Sequence, residues 1–234
     1  MDLIPYTYDV DEVRLTGFLA DGASAGSAPG VLLAHEAPGV TAHVKERATM
    51  LAELGYVAFV LDMYGRVDLP VEEAREQSRR LMSDAALMRR RARAALDILV
   101  SQAHCDATKL AAIGFCLGGI VALELARDRA PIRCAVGFHP GFMRPIGSAN
   151  GPIAAKVLMM IGDNDPVVPA EDRASFIQEM NEVGADWQLH VFGGVGHSFT
   201  NREIDARGFP GFAYNEIADS RAWSLMISLF DEVF

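Results

Sequence analysis

Leu110-Ala111-Ala112-Ile113-Gly114-Phe115-Cys116-Leu117-Gly118-Gly119 is the stretch on which the reading of this 234-residue chain turns. Leu110 to Ile113 makes a short buried strand, Gly118 to Arg127 follows as a helix, and a cysteine flanked by glycines stands between them. In so tight a turn the central residue is held in a strained backbone, and side chains two residues to either side would collide with it. The helix that begins beyond it aims unpaired amides and its positive dipole end at the sulfur, which favours the thiolate. Strand, Gly-x-Cys-x-Gly and helix together form the context of a nucleophile elbow, with Cys116 in the nucleophile position. A buried structural thiol in a tight turn is the competing reading.

Outward from this point, short apolar runs alternate with helix-period segments, the signature of a parallel sheet flanked by helices. The spacing predicts strands at Val31–Ala34, Val57–Leu61, Ile132–Phe138, Lys156–Ile161 and Trp187–Phe192. A helix carrying Val44, Ala48, Leu51 and Ala52 on one face closes at Gly55. Val71 to Ser101 reads as helix with a break near Ser83 and Asp84. Phe176, Ile177, Met180 and Val183 mark a further helix, and Trp223, Met226, Ile227 and Phe230 the last. Tyr6–Val10 and Arg14–Leu19 read as an antiparallel hairpin, joined to the main sheet by a Gly/Ser/Ala loop from Gly22 to Gly30. The expectation is one α/β domain over residues 1–234, of the α/β-hydrolase fold.

Composition narrows the function. With 21 Lys+Arg against 31 Asp+Glu the net charge is −10, which argues against a partner such as nucleic acid, whose phosphates demand clustered cations. The basic run Arg89 to Arg93 reads as a solvated helix face. Half the residues are hydrophobic, too many for a disordered chain, yet no window has the ~18 apolar residues of a membrane span. Cys105, Cys116 and Cys134 are an odd number, and Met1 to Pro5 has no secretory pattern, so free thiols in a cytoplasmic protein are expected. His35, His43, His104, His139 and His190 form no metal-ligand spacing, and no phosphate loop occurs; neither metal nor cofactor is expected.

An elbow nucleophile needs an acid and a base from later strand ends, in the order nucleophile, acid, base. Gly162-Asp163-Asn164-Asp165-Pro166-Val167-Val168-Pro169 follows one predicted strand, and Gly193-Gly194-Val195-Gly196-His197-Ser198-Phe199 follows the last. His197 is the candidate proton carrier. Asp163 and Asp165 compete for the carboxylate that fixes its tautomer.

With these three loops in order, the chain resembles the dienelactone hydrolase family of α/β-hydrolases, which use a Cys-Asp-His triad. The resemblance runs from Val31 to the last helix and includes His35-Glu36-Ala37-Pro38-Gly39, Asp62-Met63-Tyr64-Gly65-Arg66, the elbow and Gly196-His197-Ser198-Phe199. It implies Asp165 as the acid, four residues before the loop proline, and Glu36 as a carboxylate near Cys116 that helps deprotonate it. The amides of Ala37 and Leu117 would make the oxyanion hole. Arg75, His139 and Ser198 would contact substrate, Arg75 in an Arg-Glu-Gln stretch matching one of two family arginines. At the second arginine position stands Asn201, with Arg202 one place late.

The implied activity is hydrolysis of a small ester or lactone through a thioester, as in carboxymethylenebutenolidase-like enzymes. Alternatives are a carboxylesterase or thioesterase acting on another acyl group, a non-catalytic binding protein on this scaffold, and a thiol redox sensor. The partner expected is a small molecule, with neither nucleic acid nor membrane, and either a monomer or a homodimer fits the sequence.

Overall fold

The computed structural model describes residues 3–24, 26–66, 69–148 and 151–234. Eight strands form one sheet: β1 (Ile4–Val10), β2 (Val13–Asp21), β3 (Ala28–Ala34), β4 (Val57–Val60), β5 (Cys105–Phe115), β6 (Cys134–Phe138), β7 (Lys156–Gly162) and β8 (Trp187–Phe192). They lie in the order β1-β2-β4-β3-β5-β6-β7-β8. The first two make the expected antiparallel hairpin and β2 joins β4 antiparallel, while every other pairing is parallel. Crossover helices cover both faces, which is why the central strands read as unbroken apolar runs and not as alternations.

One face is covered by α2 (Val71–Met82), α3 (Ala85–Val100), α4 (Leu117–Arg127) and α5 (Ala170–Glu182), the other by α1 (Ala42–Glu53) and α6 (Glu216–Val233). Local chemistry sets their ends. Beyond α1, Gly55 takes φ +93° and donates to the Ala52 carbonyl, while Tyr56 donates to Leu51; this is the paired 5→2 and 6→1 closure of a Schellman motif. The break between α2 and α3 falls where the sequence placed it, because the Asp84 carboxylate caps the new helix by accepting from the Leu87 amide at 2.9 Å.

Three expectations need correction. Strands β3 and β5 begin earlier than their apolar runs, at Ala28 and Cys105, pairing across an irregularity at Pro29/Gly30. Hydrophobicity marks only their buried part, and the predicted Gly22–Gly30 loop is correspondingly shorter, with residue 25 outside the described residues. Ile177 is exposed, for the buried side of α5 is made by Phe176, Glu179 and Met180. The arginine run is mostly a packing surface: Arg89 and Arg93, one turn apart, meet Glu124 of α4 and Asp128, which caps that helix, each at 2.8 Å. Arg91 points the other way and is buried, donating to the Met63 carbonyl. Only Arg90 keeps to solvent, beside Asp11.

Candidate active site

Every parallel strand delivers its following loop to the same edge of the sheet, where open α/β sheets bind ligands. His35 to Ala37 follow β3, Asp62 to Tyr64 follow β4, Cys116 follows β5, His139 follows β6, Asp165 follows β7 and His197 follows β8. Residues from His35 to His197 thus come to one edge of the sheet.

Cys116 is the single residue between β5 and α4, and it holds φ +53° and ψ −113°, a conformation that L residues rarely adopt. Its amide donates to the Phe138 carbonyl at 3.0 Å, pinning the turn to β6. A Cβ on Gly114 would lie 2.0 Å from the Gly118 carbonyl oxygen, and one on Gly118 would lie 2.1 Å from that of Ala34. Both glycines are therefore required by backbone contact alone. Leu117 opens α4, so its N–H lies outside the helical ladder and is free to serve a ligand. The Ala37 amide likewise donates to no described residue.

The carboxylate facing the histidine is Asp165: its Oδ2 is 2.7 Å from His197 Nδ1, with both side chains fully buried. Its Oδ1 accepts from the Val167 amide at 2.8 Å. Asp163 is exposed and instead bonds the Gly194 amide, bracing the turn before His197. His197 Nε2 has no well-formed hydrogen bond among the described residues, and the Cys116 sulfur is near enough to act on the ring by charge and by hydrogen bonding. Burial works against the charged imidazole. Cys116 and Asp165 beside the ring outweigh it, and His197 is pushed up to about 10.

Glu36 is buried in the same cluster, accepting from Ser198 Oγ at 3.0 Å and from Asn201 Nδ2 at 2.6 Å. His43 Nδ1 lies 3.6 Å away. Ser198, at φ +56°, thus spends its hydroxyl on Glu36. His139 is wholly buried behind His197, with ring centroids 5.2 Å apart, and bonds Thr200, so it does not line an open pocket. Arg75 stays outside the cluster, 58% exposed on α2 and paired with Glu72 at 2.7 Å.

The structure brings further residues to the site. The Tyr64 hydroxyl donates to the Ala37 carbonyl at 2.9 Å and accepts from Ser78 at 2.9 Å; burial raises its pKa and keeps the phenol protonated. His35 ties the same loop to the next one, donating from Nδ1 to the Glu36 carbonyl and accepting at Nε2 from the Met63 amide. His43 and Thr200 were missed altogether, since no spacing links residues 157 apart. A groove of about 960 Å³ between α1 and α6 reaches this cluster through His43, Thr200 and Asn201.

Sheet order, elbow and loop placement define an α/β-hydrolase. The family model described as the dienelactone hydrolase family matches residues 15–234, and the chain belongs to that family. It is similar to a Bradyrhizobium sp. protein named "Probable 2-oxo-3-(5-oxofuran-2-ylidene)propanoate lactonase", 29% identical over 91% of this chain and 87% of that one. Carboxymethylenebutenolidase 1 of Cupriavidus pinatubonensis is 27% identical, over 88% of each chain. Among solved structures, the dienelactone hydrolase-like promiscuous phosphotriesterase P91 from metagenomic libraries superposes with a TM-score of 0.94. It is 37% identical, covering 100% of this chain and 98% of that one. The chain is accordingly a hydrolase of ester or lactone bonds.

Proposed function

We propose that the chain, acting as one α/β domain, hydrolyses small esters or lactones through a thioester on Cys116. The observation that carries this reading is the alignment of a strained elbow cysteine with a histidine whose other nitrogen is held by a buried carboxylate. The Cys116 thiolate attacks the carbonyl carbon, and the displaced π pair becomes an oxyanion accepted by the amides of Ala37 and Leu117. Collapse of the tetrahedral intermediate expels the alkoxide or enolate, which takes the His197 Nε2 proton. The neutral ring then removes a proton from water, whose oxygen attacks the thioester. The departing thiolate and the imidazolium restore the starting ion pair. Asp165 holds the tautomer throughout. Three free cysteines support a reducing, cytoplasmic setting.

Rapid-quench mass spectrometry with a 4-nitrophenyl ester tests the mechanism. An acyl adduct on Cys116, and loss of turnover in Cys116→Ala with retention in Cys105→Ala and Cys134→Ala, are expected. Unchanged turnover in Cys116→Ala refutes it.

A further inference from the structure

The Glu36 carboxylate is buried at the end of the sheet that carries Cys116 and His197, and no Lys or Arg is among its contacts. It is 4% exposed, precedes Ala37 of the proposed oxyanion hole in the chain, and is hydrogen-bonded to Ser198, the residue after His197. Both of its short contacts come from neutral donors, the Ser198 hydroxyl and the Asn201 amide. Whether the carboxylate is balanced therefore depends on His43, its third neighbour.

His43 does not supply the missing charge. Its Nδ1 lies 3.6 Å from Glu36 Oε2 and makes no hydrogen bond among the described residues, while Thr200 Oγ1 lies between its Nε2, at 3.1 Å, and His139 Nε2, at 2.8 Å. Both rings are buried, and burial lowers the pKa of each, for His43 by more than the nearby Glu36 charge raises it. His43 is therefore a neutral neighbour of the carboxylate.

The cations of the surrounding elements are engaged elsewhere. Arg47 of α1 pairs with Asp219 at 2.7 Å, Arg91 of α3 is held by the Met63 carbonyl, Arg75 of α2 pairs with Glu72, and Arg202 donates to the Tyr214 hydroxyl. Among the described residues no Lys or Arg reaches Glu36, and none of the seven remaining residues is Lys or Arg. Asp165 has His197 to offset it. Glu36 has no counter-charge.

We propose that this site selects uncharged esters or lactones over those bearing a carboxylate, with Glu36, left unbalanced by its neutral partner Asn201, as the specificity-determining residue. The inference rests on the cysteine-hydrolase reading. Like charges in a poorly solvated site repel, and the expected cost is about tenfold or more in kcat/KM.

The test is kcat/KM for mono-4-nitrophenyl adipate and for its methyl ester, which differ in one charge. Wild type should favour the methyl ester by about tenfold or more. Glu36→Gln, which removes the charge, should narrow the gap to within about threefold whatever its absolute rate, and Asn201→Arg, which balances it, should move the ratio the same way. Circular dichroism melting checks that each variant folds. A wild-type enzyme that treats the two substrates equally, or a gap that persists in both folded variants, overturns the proposal while leaving the hydrolase reading intact. Failure of wild type to cleave either, with no acyl group on Cys116, overturns both.

Discussion

Replacing Asp165 with Asn removes one charge and, on this geometry, reverses one hydrogen bond. Asp165 Oδ1 accepts from the Val167 amide, so an Asn there must keep its carbonyl oxygen on that side and turn its NH2 toward His197 Nδ1. Nδ1 must then accept, which moves the ring proton to Nε2 and leaves no lone pair to activate water against the thioester. The corresponding loss in a serine protease triad is ~10⁴ in kcat, and a fall of about 10³ to 10⁴ is expected here. The exposed Asp163 bonds only the Gly194 amide, so Asp163→Asn should cost at most ~1 kcal/mol of stability and alter turnover by less than about threefold. Turnover of a 4-nitrophenyl ester, with acyl-enzyme followed by mass spectrometry, separates the two. Asp165→Asn should accumulate thioester, because deacylation needs the histidine most. A loss under tenfold in Asp165→Asn, or a larger loss in Asp163→Asn, refutes the assignment.

The raised pKa of His197 predicts a pH profile. With burial outweighed by Cys116 and Asp165 the imidazolium persists up to about pH 10, so kcat/KM for alkyl esters, whose leaving groups need its proton, should fall as pH rises through about 10. Asp165→Asn removes one of the stabilising partners and should bring that limb down, whereas an unmoved limb contradicts the pairing. Tyr64→Phe breaks the bond to the Ala37 carbonyl, and freeing that loop should lower kcat by about tenfold at nearly constant KM, the scale of one hydrogen bond. A purely raised KM would mean that Tyr64 serves binding instead. Arg75→Ala removes an exposed ion pair and should change kcat/KM by less than about twofold on acidic and neutral substrates alike; a selective loss on acidic ones would show Arg75 reaching substrate.

What the sequence disclosed was what local chemistry determines. The elbow is a contact between backbone atoms at Gly114, Gly118 and Ala34, so glycine is obligatory and its spacing can be read directly. The α2–α3 break rests on a cap three residues long. Asp163 and Asp165 were indistinguishable as letters, because what separates them is which carboxylate turns inward to His197 and which outward to Gly194. Arg91 and His139 were misjudged for a related reason: composition assigns charge and polarity to the surface, whereas tertiary packing buries both and gives each a hydrogen-bond partner from another loop. His43 and Thr200 left no trace at all. Their pairing exists only because β3 and β8 end at the same edge of the sheet, from which α1 starts with His43 in its first turn and the β8 loop brings Thr200 to meet it. The catalytic candidates come from strand ends and can be found by counting strands. The groups that set the charge around them come from the turns beyond, and chemistry there is decided by which neighbour happens to be a neutral amide and not a guanidinium. At residue 201 that difference is a single side chain, an amide that donates to Glu36 at 2.6 Å and brings it no charge.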